Sequence, residues 1–191
     1  MNFFVPVNAQ GKKIEGIVVF EPNVFEDDRG FFMESWSEKR VNDILGYNVH
    51  FVQDNHSLSC LGVLRGLHYQ INPHAQGKLV RCISGEIYDV AIDIRKTSQT
   101  FLQWVGVHLT AQNKKQLWIP HGFAHGFLTI TQRAEVAYKV TDYWAKESER
   151  SILWSDPEIN IIWPKINGNL LISNKDKRAK LINEMNGNDL F

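Results

Sequence analysis

Apolar and polar residues alternate with a period of two along much of this chain, which is typical of β-strands. The run YDVAIDI separates into two faces, one of Tyr88, Val90, Ile92 and Ile94 and one of Asp89, Ala91 and Asp93. Ser84-Gly85 stands between this run and KLVRCI, so the pair predicts a β-hairpin. The runs TFLQWVGVHL, LWIPHGFAHGFLTI and AEVAYKVTDYW predict further short strands. Many short strands at short spacing predict an all-β jelly roll, sandwich or barrel.

Two segments have a helical pattern instead. In SEKRVNDILG, Val41, Ile44 and Leu45 share one face, Gly46 provides a stop, and Ser35 with Glu38 predicts a capping box. Near the end, NKDKRAKLINEM predicts a second helix with apolar positions at Leu181, Ile182 and Met185. The tail NGNDLF is expected to fray.

The composition narrows the class of protein. A chain of 191 residues suits one domain, residues 1–191, with a sizeable core. With 21 basic and 21 acidic residues the formal net charge is zero, which gives no support to a nucleic-acid or membrane partner. Cys60 and Cys82 suggest no disulfide framework. The start MNFFVPVNAQ has neither a basic region nor an apolar run of signal-peptide length, so we expect a soluble cytoplasmic protein.

Three polar side chains fall on strand positions that would otherwise be apolar. His68, in VLRGLHYQ, is either a core histidine with satisfied nitrogens or a base, because histidine titrates near neutral pH. Lys78 shares a face of KLVRC with two apolar residues, so it either reaches water at the strand end or meets an anion inside. Tyr138 shares the apolar face of VAYKV, as a core tyrosine or a site residue.

The segment PHGFAH reads P-x-G-x-x-H and resembles the second motif of the cupin superfamily of small β-barrels. Metal-binding cupins place H-x-H on an earlier strand, where this chain has His68, Tyr69 and Gln70. One imidazole is therefore missing, and His121 with His125 is too small a set for a catalytic zinc site. We expect no metal.

A more specific resemblance covers nearly the whole chain. Its segments resemble, in order, those of the dTDP-4-dehydrorhamnose 3,5-epimerase family within the cupins: FEPNVFEDDRGFFMES, FVQDNHS, VLRGLHYQ, AQGKLVRCISGEIYDVAIDIRK, LWIPHGFAHGF, YKVTDYW, SILWSDPEINIIWP and SNKD. The resemblance implies a cupin-type jelly roll that forms a homodimer and needs neither metal nor organic cofactor. It also implies inversion of C3 and C5 in a dTDP-linked 4-keto-6-deoxyhexose, a step in dTDP-L-rhamnose biosynthesis.

The resemblance gives the polar residues their roles. Both inverted carbons flank the C4 ketone, so the reaction needs a base, a group that stabilises the enolate and an acid on the opposite face. By resemblance His68 is the base, Asp176 orients it, Lys78 faces the enolate oxygen and Tyr138 returns a proton. For Asp176 a second interpretation stays open, because Ser173 begins an S-x-x-D capping pattern that the carboxylate could close.

The resemblance also implies a set of substrate-binding positions. These are Arg29, Glu34, Gln53, Asn55, Arg65, Lys78, His125, Trp144, Glu149 and Lys175. Arg29, Arg65 and Lys175 are cations suited to the diphosphate, and the Arg29 segment is expected to reach a neighbouring subunit's site. Trp144 stands where the family usually has a tyrosine that stacks on the base. His121 replaces a usual glutamate and is expected to change a charge near the site.

Three other functions compete with this hypothesis. A mono-epimerase acting at C3 or C5 would use the same four catalytic side chains. A non-catalytic sugar-binding cupin would need neither His68 nor Tyr138. A metal-dependent cupin oxygenase would need a metal that the chain has few ligands to hold.

Overall fold

The computed structural model describes residues 1–191 and consists mainly of short strands. The strands are β1 (Asn2–Phe4), β2 (Val18–Glu21), β3 (Val24–Asp27), β4 (Gly30–Met33), β5 (Gln53–Cys60), β6 (Val63–Gln70), β7 (Lys78–Ser84), β8 (Glu86–Asp93), β9 (Trp104–Thr110), β10 (Gln116–Ile119), β11 (Phe123–Thr129), β12 (Arg133–Val140), β13 (Glu149–Ser151) and β14 (Leu171–Ile172). The helices are α1 (Glu38–Leu45) and α2 (Asn174–Lys177), with short 3₁₀ turns at Ile182–Glu184 and Gly187–Asp189. No helix is long and apolar enough to cross a bilayer.

Two sheets face each other across the core. The first sheet has the order β1-β2-β10-β7-β12-β5, and the second has the order β13-β6-β11-β8-β9 with β14 added parallel to β6. Every other pairing within the two sheets is antiparallel. The predicted all-β jelly roll is therefore confirmed.

The space between the sheets is filled by alternate residues of their strands. Val80 on β7 and Val136 on β12 pack in one buried cluster with Ile87 and Ala91 of β8. Because side chains alternate with a period of two, Lys78 shares the inward face of β7 with Val80. Tyr138 packs against the same cluster. The sequence pattern therefore placed both polar residues on the correct face.

β7 and β8 are consecutive strands that belong to different sheets, so the predicted hairpin is wrong. β7 pairs with β10 and β12, whereas β8 pairs with β9 and β11. Gly85, at a φ of 76°, turns the chain from the first sheet into the second. A left-handed glycine suits a hairpin turn and a crossing between sheets equally well, so the local sequence does not separate them.

The second sheet is buried on its outer face as well. On this face, Val90 and Ile92 of β8 and Ile94 just after it pack against Ile152 and Ile182 from the C-terminal third of the chain. β8 is therefore covered on both sides: Val90 and Ile92 lie on its outer face, and Asp89 and Asp93, on the inner face with Ala91, are also fully buried.

The C-terminal segment departs from the predicted helix of residues 174–185. Only α2, of four residues, and the 3₁₀ turn at Ile182–Glu184 form there. Beyond α2 the Lys180 carbonyl accepts from the Leu153 N–H and Ile182 is buried, so the backbone pairs with a neighbouring segment instead of continuing the helix. The expected fraying is also wrong, because Asp189 binds Arg150 and the Asp189 carbonyl accepts from the Tyr69 hydroxyl.

Helix α1 forms where it was expected, but its first turn differs. Its N-cap is Ser37 and no side chain caps it, so the capping box of Ser35 and Glu38 is wrong. Gly46 ends the helix in a left-handed conformation, as predicted, and Val41 is buried.

Strands β6 and β11 come unusually close beneath the site. A Cβ on Gly66, whose φ is +122°, would lie 2.5 Å from the Cα of Gly126. Only glycine fits such a backbone contact, so the two glycines set the approach of the strand that carries His68 to the strand that carries His125.

Candidate active site

A cavity of about 590 Å³ is lined by residues of both sheets and of α2. His68 comes from β6 in the second sheet, whereas Lys78 and Tyr138 come from β7 and β12 in the first. His125, Arg65, Lys175 and Asp176 also line it. The structure therefore brings together all four predicted catalytic side chains, which lie far apart in the sequence.

His68 is paired with Asp176. Its Nε2 lies 2.6 Å from Oδ1 of Asp176, which is almost completely buried. Burial favours the neutral carboxyl, but hydrogen bonding to His68, to Ser173 and to the Gly66 N–H outweighs burial and lowers the pKa of Asp176. An ionised carboxylate can only accept, so Nε2 of His68 donates and Nδ1 keeps the lone pair that a base requires.

Only one of the two hydrogen bonds of the predicted capping box forms around Asp176. The Ser173 hydroxyl accepts from the Asp176 N–H at 3.1 Å and so caps α2. The Asp176 carboxylate does not accept from the Ser173 backbone N–H, as a capping box would require, and its Oδ1 is bonded to His68. The two interpretations of this segment therefore describe two different groups, a serine that caps and a carboxylate that holds the imidazole.

Lys78 points into the cavity at the start of β7. Its ammonium group donates to the His68 carbonyl at 3.3 Å. Burial lowers the pKa of Lys78 to about 8, while the charges of Asp89 and Glu149 act in the opposite direction. An ammonium group that is shielded from water attracts a developing negative charge far more strongly than an ammonium group in water does.

Tyr138 lines the same cavity from β12. Burial raises the pKa of its phenol, so the hydroxyl keeps its proton near neutral pH. Burial and the charges of Arg65 and Glu149 act on the Tyr138 hydroxyl, but no protein hydrogen bond does. A protonated hydroxyl without a protein partner is able to donate to whatever occupies the cavity.

His125 forms a second histidine–carboxylate pair in the cavity wall. Its Nε2 lies 2.7 Å from Oδ1 of Asp89, and both residues are buried. Oδ2 of Asp89 has no hydrogen-bond partner. Sequence reasoning assigned Asp89 no role, although the strand alternation had already placed it on a face with Ala91.

A smaller pocket of about 180 Å³ shares His68, Lys78 and Tyr138 with the main cavity. Besides Lys78, four more of the predicted binding residues line it: Gln53, Asn55, Trp144 and Glu149. Gln53 donates to the Asn55 side chain at 2.7 Å, and Trp144 is 59% exposed. An exposed indole beside amide groups offers a flat apolar face with polar neighbours.

The cations predicted for the diphosphate divide into two groups. Arg65 lines the cavity while its Nε donates to the Ser59 hydroxyl, and Lys175 lines it while paired with Glu149 at 2.7 Å. Arg29 lies outside, in the β3–β4 turn, where its side chain is 90% exposed and bound to Asp27.

Two further predicted positions lie away from the cavity. Glu34 follows β4 and pairs with Arg40 at 3.1 Å. His121 lines neither pocket and has its ring 6.2 Å from that of Phe191, so its effect on the charge of the site stays a prediction. No group of three His, Cys, Asp or Glu side chains is placed to hold a metal ion.

The chain is similar to enzymes of one kind throughout its length. The dTDP-4-dehydrorhamnose 3,5-epimerase family profile matches residues 11–184. The enzyme of that name from Shigella flexneri is 57% identical over 170 residues, which is 89% of this chain and 93% of the relative. The one from Escherichia coli is 52% identical over 179 residues, or 94% and 96%.

Solved structures of such epimerases also superpose on most of this chain. A dTDP-6-deoxy-D-glucose-3,5-epimerase from Legionella pneumophila, in complex with dTDP-4-keto-L-rhamnose, superposes with a TM-score of 0.91 at 48% identity. The superposition covers 99% of this chain and 97% of that one. ChmJ, a 3'-monoepimerase from Streptomyces bikiniensis in complex with dTDP-quinovose, superposes with a TM-score of 0.83 at 31% identity over 88% and 84% of the two chains.

Proposed function

This chain belongs to the dTDP-4-dehydrorhamnose 3,5-epimerase family, and from that premise we propose how its cavity inverts two carbons of a dTDP-linked 4-keto-6-deoxyhexose. The observation that carries the proposal is the His68–Asp176 pair at 2.6 Å, which lines one cavity with Lys78 and Tyr138. Base and acid are supplied by different sheets, as a reaction on two faces of one sugar ring requires.

The C4 ketone makes the hydrogens on C3 and C5 acidic, because loss of either proton gives an enolate. His68 removes the proton through the ring nitrogen that Asp176 leaves free. The Lys78 ammonium stabilises the negative charge that moves onto the C4 oxygen. Tyr138 then donates its phenolic proton to the opposite face of the same carbon, which inverts it. Each inversion leaves His68 protonated and Tyr138 deprotonated, so His68 must release its proton to solvent and Tyr138 must take one up before the second carbon reacts.

The binding residues suit the remainder of the substrate. Trp144 provides an aromatic face for the nucleobase, and the Gln53 and Asn55 amides lie in the same pocket to bind polar edges. Arg65 and Lys175 are the cavity cations available to the diphosphate. His125 and Glu149 complete the polar lining.

Arg29 and Glu34 need a second subunit to take part. The β3–β4 ribbon is a separate two-stranded sheet that exposes Phe25, Phe31 and Phe32. Such apolar exposure favours a covered surface, and a homodimer in which each ribbon reaches the neighbour's site would bring Arg29 and Glu34 to the substrate. Sedimentation of the protein at a monomer mass would contradict this arrangement.

A mono-epimerase is the second candidate, because ChmJ superposes over 88% of this chain. The deciding experiment incubates the protein with dTDP-4-keto-6-deoxy-D-glucose in heavy water and follows the product by proton NMR. We expect deuterium at both C3 and C5, and rhamnose when a 4-keto reductase and NADPH are added. Deuterium at one carbon only would favour the mono-epimerase, and none at either carbon would contradict an epimerase.

Replacement of Asp176 by alanine is expected to reduce activity more than stability. The imidazole loses the carboxylate that orients it and fixes its tautomer, which we expect to lower kcat at least about tenfold. The Ser173 cap remains, because it uses the backbone N–H of residue 176. Thermal melting and kcat are measured on the same preparation.

Ser173→Ala provides the converse control. It removes the cap and should cost about 0.5–2 kcal/mol of stability while retaining the His68–Asp176 pair. A large loss of stability in Asp176→Ala with a normal rate would show that the carboxylate is only structural.

A further inference from the structure

Gln70 is a buried polar residue at the end of β6, two positions after the base, and no step of the proposed reaction uses it. Its side chain is 4% exposed. It occupies the position at which metal-binding cupins have the second histidine of H-x-H. We propose that Gln70 is a positioning residue that fixes the loop bearing Trp144 and thereby sets affinity for the nucleotide, an inference that rests on the proposed function.

The side-chain amide of Gln70 forms hydrogen bonds with the backbone on both sides of Trp144. Its Nε2 donates to the Tyr143 carbonyl at 3.1 Å, and its Oε1 accepts from the Ala145 N–H at 2.8 Å. Its second amide hydrogen is directed to the His74 carbonyl at 2.7 Å. Tyr143 and Ala145 are the immediate chain neighbours of Trp144, so one side chain fixes the peptide units that flank the indole.

The loop needs such support because it has no strand partner. Residues 141–148 lie outside the strands, and backbone hydrogen bonds join them to neighbouring segments only at their two ends, from the Thr141 N–H to the Gly77 carbonyl and from the Ile71 N–H to the Ser148 carbonyl. Gln76 adds a bond to the Asp142 carbonyl at 2.6 Å, and His74 pairs with the Asp142 carboxylate at 3.3 Å. The end of β6 and the segment that follows it are thus bound to the Trp144 loop by several side chains, and that of Gln70 is the buried one.

Only an amide satisfies this position. Two carbonyls require two donors and one N–H requires an acceptor, which is the complete inventory of a glutamine side chain. A neutral histidine has one donor and one acceptor, and a glutamate would direct its oxygens at two carbonyls. The residue type therefore fits loop fixation and would not be reproduced by either alternative.

Fixing the indole in advance should act on binding more than on chemistry. If the loop were free, ligand binding would have to order it, and the cost would appear in the affinity. The reacting atoms of the sugar meet His68, Lys78 and Tyr138, none of which is bonded to the Gln70 side chain. We therefore expect KM to change and kcat to remain nearly constant.

The experiment compares Gln70→Ala and Gln70→Met with the wild-type protein. For both variants we expect KM for the dTDP-sugar and Kd for dTDP alone to rise about tenfold, the net contribution of about one hydrogen bond, with kcat within about threefold. Gln70→Met retains the volume, so it reports on the hydrogen bonds if the alanine variant folds poorly. Gln116→Ala is the matched control, because Gln116 is a buried glutamine that donates to the Ser35 carbonyl outside both pockets.

A double-mutant cycle tests the route through Trp144. In a Trp144→Ala background the Gln70→Ala change should raise Kd for dTDP less than about threefold, because the side chain that it positions is gone. An unchanged Kd and KM in folded Gln70→Met would overturn the inference, and so would a full tenfold effect without the indole. Failure of the wild-type protein to epimerise the sugar would count against the proposed function, whereas normal wild-type turnover with an unaffected Gln70 variant would count against the loop assignment alone.

Discussion

His68→Asn is expected to lower kcat by about 100- to 10,000-fold, the usual contribution of a positioned general base. The asparagine amide is too short to replace Nε2 at the Asp176 carboxylate, but the carboxylate keeps its hydrogen bond from the Gly66 N–H, so the variant should fold with reduced stability. Because no other imidazole lies within hydrogen-bond reach of Asp176, nothing replaces the lost base. Single-turnover kinetics with the dTDP-sugar measures the chemical step, and dTDP titration checks that binding is unchanged.

His108→Asn is the matched control for this substitution. His108 also pairs with a carboxylate at 2.6 Å, that of Glu86, but the pair is exposed on β9 and lines neither pocket. Its loss should leave kcat unchanged and cost less than about 1 kcal/mol of stability. A folded His68→Asn protein that kept most of its rate would remove the base assignment.

Tyr138→Phe is expected to separate proton removal from inversion. The variant keeps the ring and loses only the hydroxyl, so the packing should change little. His68 and Lys78 can still form the enolate, and the substrate should continue to exchange hydrogen for deuterium in heavy water. Delivery of a proton to the opposite face fails, and we expect formation of inverted product to fall about 100-fold or more. Proton NMR of one reaction mixture gives both rates.

Tyr69→Phe shows what a structural tyrosine would do. Tyr69 is buried on the other side of β6, and its hydroxyl donates to the Asp189 carbonyl at 2.8 Å. Its loss should cost about 1 kcal/mol of stability and leave the ratio of exchange to inversion unchanged. Equal losses of exchange and inversion in a well-folded Tyr138→Phe protein would contradict the acid assignment.

The sequence was most informative where a strand alternates. Period two alone placed Lys78 and Tyr138 toward the interior, because a single step along a strand reverses the face of a side chain. The same rule placed Asp89 beside Ala91, yet its pairing with His125 could not be predicted, since the two residues meet only when β8 and β11 become neighbours.

Non-local pairing also explains the errors. The turn at Gly85 has the same local chemistry whether the chain folds back or crosses to the other sheet. Residues 174–185 have good helix formers, but burial of Ile182 and pairing of Lys180 with Leu153 override that preference. The position of Asp176 beside His68, across 108 residues, was accessible only through the family resemblance.

The crossing at Gly85 divides the proposed chemistry between the two sheets. One sheet carries the imidazole that removes a proton. The other carries the ammonium that stabilises the enolate and the phenol that donates a proton. The gap between the sheets is a property of the interior, where Val80 and Val136 meet Ile87 and Ala91. Since such interiors are close-packed, a change of one methylene there alters the spacing of base and acid without touching either. We therefore expect the accuracy of inversion to depend on the volume of these core side chains, and substitutions that change it could be made at residues that do not contact the sugar.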